Sequence, residues 1–277
     1  MHTFFIIFTF LFYAGLIIEV FFFREHLFDA RLDFHENSKL FFYSCYLSVY
    51  SYVNIISLVS TKDITGLLTF FYVRIELFVT NLILFLIVDK AYYVLFVFGI
   101  DLGIYFYIFY IWDSIKSYIF QNYNKKIGSD TNIRKIFIQR SAYVSFQNFT
   151  YVNYALVILL RNQYEFNNAL ANTFLFVSII PVFFSLVVRR FETEKEDKDA
   201  KLYAFISYLL TITLLISSFV IEAVTKDFIN KFYLTYMMSL DLLHFLLLTI
   251  FCALDYRSFG KGLKVFYENK RVDKKIY

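Results

Sequence analysis

Residues 67–88 read LLTFFYVRIELFVTNLILFLIV, an apolar run with Arg74 and Glu76 set inside it. The run is long enough to cross a bilayer as a helix and does not alternate as a barrel strand would. Each charge in hydrocarbon costs roughly 2.5–3.5 kcal/mol on the lenient insertion scale, so the chain must satisfy both internally. A membrane helix with a protein-facing polar side is the only sensible reading.

Similar runs recur on both sides of this one. They define eight spans, about 3–23, 40–59, 67–88, 91–111, 143–160, 169–188, 202–224 and 234–254. The expected fold is therefore all-α: a polytopic transmembrane helix bundle over 1–254, followed by a basic tail over 255–277. An alternative is seven spans plus an N-terminal signal or extra helix. Met1-His2-Thr3 has no basic n-region, which speaks against cleavage.

Composition agrees. The chain is 59% hydrophobic and 23% aromatic, with 7 Gly and 1 Pro among 277 residues, too few turn formers for a soluble domain of this size. Of the 27 Lys and Arg, 19 fall in the N-terminal, second, fourth and sixth connecting segments and the tail. Seven fall in the alternate set, and Arg74 lies within a span. This asymmetry places both termini in the cytoplasm by the positive-inside rule. It also explains the net charge of +4 without invoking nucleic acid.

The sequence carries no catalytic signature, so no enzyme activity is expected. There is no phosphate-binding glycine loop and no nucleophile elbow. Four scattered histidines and two cysteines, Cys45 and Cys252, supply no metal-ligand spacing, and no cofactor is expected. The final span has no Lys for a Schiff base.

Candidate functional residues are the charges at mid-depth. At about 1.5 Å rise per residue, Arg74, Glu76, Asp101, Asp241 and His244 share one middle layer. Spans three and four are joined by two residues and must be antiparallel neighbours, which puts Arg74 and Asp101 within side-chain reach in depth. Such a layer suits a ligand site, a proton path or a switch; the plainer alternative is a structural pair fixing helix register. Arg74 and Glu76 point roughly 200° apart and address different neighbours. Asp241 and His244 are three apart and share a helix face.

In the tail, Phe259, Leu263 and Phe266 recur at helical spacing among Lys261 and Lys264. This predicts an amphipathic surface helix bound to the inner leaflet. The segment 189–201 holds five basic and five acidic residues and reads as a solvated connection that can prolong the flanking helices.

The last third resembles the end of nematode serpentine chemoreceptors, a group of G-protein-coupled receptors. The likeness rests on Arg190-Phe-Glu-Thr-Glu-Lys-Glu-Asp-Lys-Asp-Ala-Lys-Leu202 running into an apolar helix, then Asp241-Leu-Leu, then Arg257 and a short basic helix. It implies a multi-pass chemosensory receptor of the plasma membrane with an unassigned small-molecule ligand. A heterotrimeric G protein would bind its inner loops. A transporter or channel using the charged layer, or an accessory subunit of a membrane complex, are the alternatives. Either could serve an endomembrane or organellar membrane.

Overall fold

The structure, a computed structural model, describes residues 7, 11, 14–15, 34–61, 64–87, 99, 102–103, 106–107, 109–115, 117, 119, 131–162, 169–224 and 232–259. Most of the expected spans 3–23 and 91–111, including Asp101, lie outside these residues. So do Lys261, Leu263, Lys264 and Phe266 of the expected surface helix. The described residues form helices and turns and no strand. By backbone contacts the chain divides into two units, 1–128 and 129–277.

The first unit contains α1 (Phe34–Thr61) and α2 (Ile64–Ile87). They pack antiparallel: Ser44 Oγ donates to Asn81 Oδ1 at 2.6 Å, while Gly66 lies against Asn54 and Leu58 at the other end. A Cβ at Gly66 would come within 3.0 Å of the Asn54 carbonyl oxygen and 3.2 Å of the Leu58 amide. The missing side chain is what lets the two backbones approach, as small residues do between membrane helices. Leu47, Ile55 and Leu58 of α1 and Leu67, Phe70, Val73 and Leu77 of α2 are all buried.

The second unit contains α3 (Thr131–Asn162), α4 (Ala169–Val177), α5 (Ile179–Glu194), α6 (Lys198–Val224) and α7 (Phe232–Tyr256). Helix α6 packs against α4, α5 and α7, and α7 packs against α3. Helices α4 and α5 run on from each other through a turn at Ser178. Pro181 explains the interruption, because it has no N–H to give to the carbonyl four residues back and its ring crowds that carbonyl. Ser178 Oγ takes up a neighbouring carbonyl, donating to Leu175 O at 2.5 Å.

Among the described residues, four helical stretches are long and apolar enough to cross a membrane: Ile64–Ile83, Ala169–Thr193, Lys198–Val224 and Thr235–Tyr256. The surface of α6 is compatible with that. The buried face of α6 carries Ala200, Lys201, Ala204, Ser207, Tyr208, Thr211 and Ser218, together with two large aliphatic residues, Ile212 and Leu215. Leu202, Leu209, Leu210, Ile216 and Val220 are exposed instead. A helix in water would bury the second set and expose the first. A face made mostly of small and polar residues inside, with large aliphatic ones outside, is compatible with a helix in hydrocarbon.

Candidate functional site

Five buried charges of the second unit collect at one end of its bundle. The N-terminal part of α3, the C-terminal ends of α5 and α7 and the start of α6 meet there. Arg140 comes from α3, Glu192 from α5, Lys201 from α6 and Asp255 from α7; Glu196 comes from the three-residue turn between α5 and α6. All five side chains are between 0% and 3% exposed, so this is a buried cluster and not a surface tangle of ion pairs.

Asp255 is its hub. Its Oδ1 accepts from Arg140 Nε at 3.1 Å, and its Oδ2 lies 3.1 Å from Lys201 Nζ. Arg140 Nη1 also donates to Glu196 Oε1 at 2.7 Å and to the Thr193 carbonyl at 3.4 Å. Lys201 Nζ is 3.9 Å from Glu192 Oε1 and sits 3.4 Å from the centroid of the Tyr143 ring. Phe259 closes the outer side, with the Arg140 guanidinium 4.8 Å from its ring centre. Burial works against the charge on Arg140, but Asp255 and Glu196 outweigh it and hold its pKa above the ordinary arginine value. Two cations thus face three carboxylates.

Local structure places these groups. Asp197 caps α6 by accepting from the Asp199 amide at 3.0 Å and the Ala200 amide at 3.3 Å. That cap sets the helix start and so the position of Lys201 one turn later. Glu196 has a φ of 51°, the left-handed region normally left to glycine. The chain reverses there and turns the Glu196 carboxylate onto Arg140. A glycine would make the turn at less strain but would bring no carboxylate.

A hydrogen-bonded chain of neutral groups continues inward. Tyr143 donates to Glu192 Oε1 at 2.7 Å, and its oxygen is 2.9 Å from that of Tyr208. Gln147 Nε2 donates to the Tyr208 oxygen at 2.8 Å and to the Tyr151 oxygen at 3.0 Å. Tyr151 ends on Ser185 Oγ at 2.7 Å. On α3 the participants Arg140, Tyr143, Gln147 and Tyr151 are spaced by three and four residues, so one polar stripe of the helix builds the whole column.

The residues singled out from sequence fall as follows. Arg74 is buried in the first unit, its guanidinium 4.9 Å from the ring centre of Tyr52 and 5.5 Å from that of Phe70. Glu76, also buried, accepts from the Tyr43 hydroxyl. Both thus meet tyrosines of α1, at different levels along that helix. Asp241 and His244 are buried in the second unit, where His244 Nδ1 lies 3.2 Å from Asn153 Nδ2. The Phe149 and Phe146 rings meet the imidazole edge-to-face at 5.1 and 5.9 Å. The first pair and the second belong to different units, and the partner expected for Arg74, Asp101, lies outside the described residues. Phe259, assigned to the membrane surface from its spacing, is the ring over Arg140. Among the described residues no three His, Cys, Asp or Glu side chains are grouped so as to hold a metal ion.

The five residues of the cluster itself were passed over in the sequence. One signal pointed to them. Asp241, His244, Leu248, Cys252 and Asp255 recur by three and four along α7, so the face that carries Asp241 and His244 runs on to Asp255. The chain matches no known family model, no curated protein and no solved structure.

Proposed function

We propose that the chain is a multi-pass membrane receptor of the seven-helix, chemosensory type, in which the buried charge cluster locks the cytoplasmic ends of the helices. The loop charges favour that orientation, with eight spans and both termini inside. The single observation that carries the reading is Asp255 bridging Arg140 and Lys201, so that three helices are tied at one point. Replacing a buried ionic cluster by apolar residues is commonly neutral or stabilising, so such a cluster is poorly explained as a stability device. It is better explained as an interlock between two arrangements of the helix ends. Opening it would uncover charged side chains of the segments 112–142 and 189–201 to a heterotrimeric G protein. The resemblance of the last third to nematode chemoreceptors supports the same class.

The test is basal signalling. The full chain and its Asp255→Asn form, at matched surface density, are co-expressed with energy-transfer sensors for each class of G protein. The receptor reading expects higher basal activation by Asp255→Asn than by wild type. No response of any class, for Asp255→Asn and Lys201→Met alike, would remove it. A second reading is favoured by the polar column from Glu192 to Ser185, which suits ion or proton passage with the cluster as an inner gate. Proton or cation flux into proteoliposomes that depends on Gln147 and Tyr208 would select that reading instead.

A further inference from the structure

Next to the cluster, and separate from it, lies a cavity of about 680 Å³, open on one side, between the start of α3 and the end of α7. Lys135, Ile136 and Gln139 form one wall, and Leu254, Arg257 and Ser258 the other; among the described residues no carboxylate lines it. Arg140 and Lys201 are each ion-paired with two carboxylates. Lys135 and Arg257, by contrast, form no ion pair among the described residues. Two cations therefore converge on a cavity whose described lining offers them no counter-charge.

The cavity's depth narrows the choice of occupant. Leu254 belongs to the last turn of the apolar stretch Thr235–Tyr256, and Arg257 follows that stretch directly. The cavity thus sits where hydrocarbon gives way to headgroups. From Leu254 an exposed apolar stripe runs along α7 through Ile250, Leu246 and Leu243, spaced by three and four residues. A free phosphate would have no use for that stripe, whereas an acyl chain fits along it.

We infer that this cavity is a binding site for an anionic phospholipid. The phosphate would lie between Lys135 and Arg257, the Gln139 amide would meet a headgroup oxygen, and an acyl chain would follow the α7 stripe. Basic recesses at the ends of membrane helices hold acidic headgroups by this combination of charge and depth. The site adjoins the lock, because Ser258 lines the cavity and its hydroxyl donates to the Asp255 carbonyl at 2.6 Å. A bound lipid would draw the start of α3 toward the end of α7 and favour the closed cluster. The inference needs only that α7 crosses a membrane and does not depend on receptor signalling.

The test uses the purified full chain in neutral detergent, with binding read as the lipid-dependent rise in unfolding temperature. Dioctanoyl phosphatidylglycerol should bind; dioctanoyl phosphatidylcholine should bind far more weakly, and inorganic phosphate should not reproduce the effect. Changing Lys135→Ala and Arg257→Ala together should weaken phosphatidylglycerol binding about 30-fold, at about 1 kcal/mol for each basic residue near the surface. Both side chains are exposed, so the fold should survive, and Arg257→Lys should retain most of the affinity. Neutralising Lys261 and Lys264 in the tail should leave this binding in place. The inference is overturned if the two lipids bind alike, if phosphate alone matches phosphatidylglycerol, or if binding follows the tail and ignores Lys135 and Arg257.

Discussion

Arg140→Leu should be among the most damaging single changes in the second unit. It removes a cation 2.7 Å from the Glu196 carboxylate and one of the two that neutralise Asp255. An exposed ion pair is worth about 0–1 kcal/mol and its loss would be hard to see. Arg140 is 1% exposed and its partners 3% and 0%, so the other limit applies: stranding a buried charge costs roughly 3–5 kcal/mol. At about 2–4 °C per kcal/mol for a chain of this order of size, the unfolding temperature should drop on the order of 10 °C. Glu196→Gln keeps an acceptor for the guanidinium and should cost less, roughly 1.5–3 kcal/mol. The double change removes both ends of the pair and leaves Lys201 to Asp255, so it should be milder than the sum of the singles. The assay is the temperature at which a fluorescent fusion of the full chain loses its monodisperse peak in detergent, run for wild type, both singles and the double. High salt should alter the differences little, because the cluster is buried beyond the reach of screening. A harmless Arg140→Leu, or strictly additive effects, would refute the argument that these residues form an energetic unit.

Three further outcomes are expected. A reporter fused after Tyr277 should be cytoplasmic, as the loop charges require; glycosylation of a C-terminal acceptor tag would contradict this. Gly66→Ala should destabilise the α1–α2 pair by about 1–3 kcal/mol even though alanine is the better helix former, because its Cβ would press on the Asn54 and Leu58 backbone. Folded yield checks this, and unchanged or improved yield would show that the helices can part without loss. In the first unit, Arg74→Leu and Asp101→Leu should each lower folded yield while the double recovers part of it; simple additivity would sever the pair.

The helical, membrane-compatible character of the chain could be read from the sequence because it depends on run length. The stretch 202–224 is apolar over enough residues to cross a bilayer, and no packing detail alters that. The cluster was harder to see because it depends on where helices end. The segment 189–201 holds equal numbers of acids and bases and so looks like a solvated link. In the structure α5 continues to Glu194 and α6 begins at Lys198, which leaves three residues to turn and carries Glu192 and Lys201 inward on helix faces. Arg140 likewise looked like a loop charge until α3 was found to begin at Thr131. Charge sign and spacing were visible; which charges meet was set by tertiary packing between residues more than a hundred positions apart, as Arg140 and Asp255 are. Arg74, Glu76, Asp241 and His244 are buried, as charges set inside apolar runs were expected to be; their common depth was an expectation from helical rise alone.

The central claim, that Asp255 holds the ends of the helices together, can be tested by one distance. Spin labels placed at the exposed positions Asn132 on α3 and Lys198 on α6, with Cys45 changed to Ser, flank the cluster. Pulsed electron resonance on the full chain in lipid nanodiscs should give one narrow distance distribution. With Asp255→Asn a second, longer population should appear. Identical distributions for the two proteins would contradict the lock.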